Sequence, residues 1–272
     1  MTADDFDFAA LSREITRTSG FALDAYKDKC IRRRIAVRMR ACGVHTYEDY
    51  RMLLKRSPSE YERLRDALTI NVTRFYRNAD TWNLIRRDVL PALFDRRRGE
   101  VRVWSAGCSS GEEPYTLAVL VADHLDRAGR GEDLSRLTID ATDIDRASLD
   151  RARAASYRRE GLTEMPDDLA RPYFEPAGDE RRVIDRVRRR VQVRALDLSR
   201  EAPLRTDYDL ILCRNVVIYF DRVMQERLFQ TFTGALVPGG YLVLGKVETL
   251  FGAARERLIL VDPRERVYRR PA

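Results

Sequence analysis

The sequence predicts an α/β domain built on a parallel sheet and preceded by an all-helical region. Three observations predict it. Val101–Leu125 reads as a buried strand, a small-residue turn and an amphipathic helix. Strand patterns at Leu137–Thr142, Val191–Leu196 (by alternation) and Asp209–Cys213 continue an α/β rhythm after it. Residues 1–70, by contrast, carry helical stripes and cap signals without a strand pattern.

In the helical region, Phe8, Leu11 and Ile15 mark a short helix ending near Gly20. Ile31, Ile35, Met39 and Cys42 form one stripe at steps of four, four and three, and Gly43 is a stop signal. Arg32, Arg33, Arg34, Arg38 and Arg40 cover most of the rest of that helix. They suit either a solvated face or a docking surface for an acidic helix or nucleic acid. Thr46 with Asp49 reads as a capping box, and Ser57-Pro58-Ser59-Glu60 as an N-cap with proline at N1 and an acid at N3. The bundle closes near residue 70. Asn71–Arg77 then alternates polar and aromatic residues before a helix carrying Trp82, Ile85, Val89 and Leu90. A junction between domains is a common place for a ligand pocket.

In the α/β region, Val101, Val103 and Trp104 give the first strand its bulk, and Leu117, Val121 and Leu125 stripe the helix. Between them, Gly107–Gly111 leaves backbone bare, so free N–H groups are expected beside an open crevice. Leu137–Thr142 ends in Asp143-Ile144-Asp145. An acid there suits a ribose, or it caps the following helix, a role Asp145 can take instead. Glu160–Arg190 breaks the rhythm with three prolines, Gly178 and a basic run, and reads as an inserted loop or small hairpin. Asp209–Cys213 is a short buried strand ending in Arg214-Asn215. Helix Arg222–Leu236 follows, then a sharp turn at Val237-Pro238-Gly239-Gly240 and closing strands near Leu258–Val261 and Arg266–Arg269.

Composition bounds the chemistry. The chain of 272 residues is 44% hydrophobic and 34% charged, with no apolar run near the about 20 residues of a membrane helix. Its acidic N-terminus has no signal-peptide pattern, so a cytoplasmic protein is expected. Four scattered cysteines and two histidines argue against a disulfide framework and a metal site. The net charge of +7 suits an acidic partner of any kind. No Walker lysine follows the turn, and no G-x-S-x-G elbow is present. Asp143 stands 36 positions after Gly107, too far for the dinucleotide fingerprint's acid at about 20. S-adenosylmethionine remains as the common ligand of such a crevice.

The stretches NVTRFYR, VWSAGCSSGEEPYTLA, TDID, LILCRNVVIYFD and VPGGYLVLG resemble, in order and spacing, the chemotaxis receptor methyltransferases of the CheR family. The resemblance covers nearly the whole chain. It implies a class I S-adenosylmethionine-dependent methyltransferase (Rossmann-like) domain with an inserted small antiparallel β-subdomain, after an all-helical N-terminal domain. The implied boundaries are 1–70 for the helical domain, 71–80 for a linker carrying cofactor contacts, and 81–272 for the methyltransferase domain, with the insertion at about 172–195. The implied reaction moves a methyl group from S-adenosylmethionine to chemoreceptor glutamates, leaving methyl esters and S-adenosylhomocysteine. By the same resemblance Arg77 and Tyr219 position the reacting centre. Asn71, Thr73, Arg77, Gly107, Glu112, Asp143, Asp197, Leu198, Arg214 and Asn215 hold the cofactor, with Glu113 a neighbour that could replace Glu112.

Two departures stand out. The family commonly reads Gly-His-Ser-Glu where this chain has Gly245-Lys246-Val247-Glu248, and Glu175–Arg182 is short beside relatives that dock on a receptor tail. Independence from such a tail is therefore expected. The expected partner is the carboxylate-rich cytoplasmic helix of a receptor, met by the arginine face; a monomer is expected, with no nucleic acid and no membrane insertion. The rival readings are a non-catalytic cofactor-binding relative, which Lys246-Val247 keeps open, and a nucleic-acid methyltransferase.

Overall fold

The computed structural model describes residues 3–19, 21–69, 72–95 and 99–272. They fall into two compact units. One holds Met1–Ile70 with Ile218–Gln225, the other Asn71–Val217 with Glu226–Ala272.

The first unit contains α1 (Ala3–Ser19), α2 (Asp28–Ala41), α3 (Tyr47–Arg56) and α4 (Pro58–Leu68). Leu11, Ile15, Ile31, Ile35, Tyr50 and Leu64 are buried at its centre. The cap signals act as written. Thr46 Oγ1 accepts from the Asp49 N–H at 3.1 Å, and Ser57 Oγ from the Glu60 N–H at 3.3 Å. At Gly43, φ is +69° and the chain leaves α2 with Val44 N–H donating to Met39 O. Thr46→Ala should lower stability by about 1 kcal/mol. Urea unfolding checks this; an unchanged midpoint would show that the cap contributes nothing.

The arginine face of α2 needs correcting. Arg34 is buried, with Nη1 donating to Leu68 O and its guanidinium 5.0 Å from the Tyr219 ring. Arg38 pairs with Glu60 at 2.7 Å, and the Tyr50 hydroxyl donates to the same acid at 2.9 Å. Arg32 lies over the Phe8 ring and pairs with Asp28 and Asp5. Arg33 and Arg40 are exposed. A helical wheel marks all five as polar, but α4 and α1 supply carbonyls, carboxylates and rings that draw three of them inward.

Ile218–Gln225 joins this unit through its backbone. Lys27 N–H donates to Tyr219 O at 2.9 Å, Asp221 N–H to Ala25 O at 3.0 Å, and Lys27 Nζ to Ile218 O at 2.8 Å. The rings of Tyr26 and Phe220 meet at 4.7 Å.

The second unit starts with α5 (Ala79–Leu84), which runs through a π turn at Ile85–Val89 into α6 (Leu90–Phe94). Pro91 has no N–H to give the turn before it, which accounts for the widening. The strands are β1 (Val101–Ala106), β2 (Leu137–Asp143), β6 (Val191–Ala195), β7 (Tyr208–Cys213), β8 (Leu236–Leu244), β9 (Ile259–Asp262) and β10 (Val267–Arg269). Their order is β6-β2-β1-β7-β8-β10-β9, parallel except at β10. The chain builds outward from β1 to β2 and β6, then resumes on the other side of β1 with β7. That reversal opens a crevice at the carboxyl ends of β1 and β7. Under it, Trp104 stacks on Tyr208 at 5.5 Å and meets Phe232 edge-on. The buried polar tips are satisfied: Trp104 Nε1 donates to Thr142 Oγ1, and the Tyr208 hydroxyl to Asp140.

Helix α7 (Glu112–Arg127) follows β1, and α8 (Arg146–Ala154) follows β2. The inserted antiparallel sheet comprises β3 (Ser156–Arg158), β4 (Phe174–Ala177) and β5 (Glu180–Val183), ordered β3-β5-β4. It therefore begins at Ser156, earlier than the expected 172, and Val191–Ala195 belongs to the large sheet, pairing in parallel with β2. The start was hidden because Ala155, at φ +50°, ends α8 and turns the chain directly into a three-residue strand. The insertion also carries α9 (Asp167–Tyr173) and α10 (Asp185–Arg188), where a loop or hairpin was expected. Helix α11 (Arg222–Ala235) precedes β8, and α12 (Ala253–Arg257) precedes β9. The expected sharp turn at Val237–Gly240 lies within β8, as an irregularity in its pairing with β7. Gly240 fits closely there, since a Cβ would stand 3.0–3.2 Å from three carbonyl oxygens.

Candidate functional site

Beyond β1 the chain turns through Gly107–Gly111 into α7. Four of the five loop amides are paired within the protein and do not project as free donors, contrary to expectation. Gly107 and Cys108 N–H donate to Thr142 O at 2.8 and 2.9 Å, Gly111 N–H to Cys108 O, and Ser109 N–H to Asp143 Oδ2 at 2.8 Å. The loop folds back onto the end of β2 because buried amides seek acceptors. Gly107, at φ +81°, is fixed twice over: a Cβ there would lie 2.4 Å from Val216 Cγ2.

Asp143 closes β2. Its Oδ1 accepts from the Asp145 N–H at 3.0 Å, so both carboxylate oxygens are held by backbone. Burial pushes its carboxyl above the ordinary range, and these hydrogen bonds pull it back in part. Asp145 caps α8 through Ala147 and Ser148 N–H, the alternative role read for it. Leu196 N–H donates to Asp143 O, which brings the next turn alongside. There Asp197 Oδ1 accepts from Ser199 N–H and Oγ, and Leu198 is half-buried.

The two acids opening α7 diverge. Glu112 accepts from Ser110 Oγ at 2.8 Å. Glu113 accepts from Ser105 Oγ at 2.9 Å and meets Arg214 Nη1 at 3.5 Å. Burial raises both carboxyls, and for Glu113 the Arg214 charge opposes the rise. Glu113 is thus the acid that joins the ends of β1 and β7, while Glu112 turns to Ser110.

Arg214 knots this region together. Its side chain is 3% exposed, and Nη2 donates to Arg77 O at 2.7 Å and Asn78 Oδ1 at 3.1 Å. Its guanidinium stands 5.0 Å from the Trp82 ring, and its Nε is buried without a hydrogen-bond partner. Arg77 Nη1 donates to Val72 O at 2.8 Å, and Arg77 O also accepts from Trp82 Nε1 at 3.0 Å. Tyr76 and Asn78 both have positive φ, so the segment is sharply kinked around Arg77. Thr73 is half-buried in the same segment, and Asn71 lies outside the described residues. Asn215, at φ +62°, follows Arg214. Tyr219 belongs to the helical unit, under Arg34.

Two residues matter here that the sequence reading did not assign. Glu248 accepts from the N–H groups of Gly245, Asn215 and Val216. Lys246 pairs with Asp80 at 3.1 Å and Glu265 at 3.0 Å. The glutamate closing Gly245–Glu248 was a visible signal for the first.

The unit thus presents an acid fixed at the end of β2, and an acid with a buried arginine where β1 meets β7. That set fits a ligand with hydroxyl donors at one end and an ammonium and a carboxylate at the other. Comparison with known proteins gives the family. Residues 71–266 match the family described as CheR methyltransferase, SAM binding domain, and residues 7–69 its all-alpha domain. A chemotaxis protein methyltransferase of Listeria innocua is 32% identical over 91% of this chain and 92% of its own. That of Klebsiella aerogenes is 34% identical over 93% and 86%, and that of Escherichia coli 32% over 91% and 86%. With both family domains matched in order, this chain belongs to the CheR methyltransferase family, whose cofactor is S-adenosylmethionine.

Proposed function

We propose that this protein transfers the methyl group of S-adenosylmethionine to glutamate side chains of chemoreceptor cytoplasmic helices, as the methylating step of chemotactic adaptation. The observation that carries the reading is the Glu113–Arg214–Arg77 knot at the β1/β7 crevice, within the matched cofactor domain. When bound, the cofactor supplies a methyl group on a positively charged sulfur. Asp143 holds the ribose hydroxyls, Asp197 and Leu198 flank the adenine, and Glu112 meets the ammonium, with Glu113 beside it as the alternative acid. Gly107, Arg214 and Asn215 line the pocket, and Asn71 and Thr73 add contacts from the linker.

A glutamate has an ordinary pKa of about 4.3, so the acceptor is ionised at neutral pH and already nucleophilic. No strong base is required. The protein's tasks are alignment and exclusion of water. Arg77 orients the reacting groups by charge-assisted hydrogen bonds. The enzyme works in the cytoplasm as a monomer; among the described residues no helix is long and apolar enough to cross a membrane.

Arg33 and Arg40, exposed on α2, meet the acidic receptor helix. Reversing both to Glu should slow receptor methylation about tenfold at low salt, with the difference shrinking as salt rises and S-adenosylhomocysteine affinity unchanged. Equal rates at every salt concentration would remove this docking role.

The reading is tested by radiolabelled methyl transfer to a receptor cytoplasmic fragment, with mass mapping of the modified residues. Base-labile label on glutamates is the expected result. Cofactor binding without transfer would favour a non-catalytic signalling relative, and label on nucleic acid would favour the other rival.

A further inference from the structure

Glu248 is 3% exposed and takes part in no sequence assignment, yet three backbone N–H groups converge on it. Gly245 N–H donates to Oε2 at 2.5 Å, Asn215 N–H to Oε2 at 3.0 Å, and Val216 N–H to Oε1 at 2.9 Å. The carboxylate therefore ties the carboxyl end of β8 to that of β7. The tie continues to β1, because Val216 Cγ2 occupies the space a side chain on Gly107 would need. The approach is close throughout: a Cβ on Gly245 would lie 2.7 Å from Glu248 Oε2 and 2.8 Å from Asn215 N. Asn215 lies in the left-handed region, which asparagine enters more readily than other non-glycine residues, and Glu248 accepts from its N–H there.

We propose that Glu248 is a positioning residue for the cofactor pocket: its carboxylate fixes Asn215 directly and the Gly107 turn through Val216, so three strand ends share one anchor. This rests on the reading that Gly107, Arg214 and Asn215 line that pocket. An ionised carboxylate only accepts hydrogen bonds, so it can serve all three donors at once. A glutamine cannot, since one of the three N–H groups would then face its NH₂. Held strand ends bind the cofactor before and during transfer alike, so loosening them weakens binding more than it slows chemistry.

The test is Glu248→Gln in the full-length protein. The expected result is a dissociation constant for S-adenosylhomocysteine raised about tenfold, with KM for S-adenosylmethionine rising in step and kcat within about threefold of wild type. A general structural role would instead lower kcat through a smaller active fraction and leave KM unchanged. Glu265→Gln is the comparison. Glu265 is a buried carboxylate bound to Thr81 and Lys246, and its loss should lower the melting temperature without moving the dissociation constant. If Glu248→Gln does not fold, Gly245→Ala keeps the carboxylate and displaces it from Asn215, and the same rise is expected. An unchanged dissociation constant in the folded variant, or a rise matched by Glu265→Gln, overturns the inference. If the wild-type protein itself fails to bind S-adenosylhomocysteine, the pocket reading fails instead.

Discussion

Arg77→Ala is expected to lower kcat by about 10²–10³, the usual cost of deleting one aimed donor at a reacting centre, while binding of S-adenosylhomocysteine weakens less than tenfold. The structure separates two parts of this residue. Its carbonyl oxygen accepts from Arg214 Nη2 and Trp82 Nε1, and an alanine keeps that acceptor. Its guanidinium reaches Val72 O, and an alanine removes it. The substitution thus deletes the charge and largely spares the scaffold. Arg77→Lys should recover part of the rate, since a point charge replaces the fork but loses its planarity. Single-turnover methylation of a receptor fragment at saturating cofactor measures the effect. Wild-type turnover in the alanine variant would remove Arg77 from the reaction.

Asp143→Asn should raise the dissociation constant for S-adenosylhomocysteine about 30- to 100-fold, with kcat at saturation nearly unchanged. Two losses combine. In the proposed pocket the ribose loses a charged acceptor, worth about 1.5–3 kcal/mol for a hydrogen bond to a charged group. The backbone is disturbed as well, because Ser109 and Asp145 N–H each hold one oxygen and an amide offers only one. Calorimetric titration decides the matter; an affinity within twofold of wild type would mean that the ribose is held elsewhere.

Much of this was legible in the sequence because the responsible physics is local. The caps at Thr46 and Ser57, the stop at Gly43 and the strand–turn–helix around Gly107 all depend on near neighbours. Asp143 and Arg214-Asn215 could be placed because strand ends follow from apolar runs. What escaped depends on distant partners. Nothing on α2 reveals that Glu60 and Leu68 O claim Arg38 and Arg34. Adjacent residues on a helix point about 100° apart, so whether Glu112 or Glu113 faces Arg214 depends on the phase with which Gly111 launches α7. The anchoring by Glu248 needs β7 and β8 to be neighbours, which no single stretch records.

One feature of Asp143 bears on how the enzyme is controlled. The amides of Ser109 and Asp145 settle its side chain before any ligand arrives. A carboxylate that holds the ribose as proposed treats methyl donor and spent product alike, since both carry the same sugar, and so adds affinity without selectivity. Accumulating product should compete strongly with fresh donor, which couples the pace of receptor modification to how quickly the cell clears it.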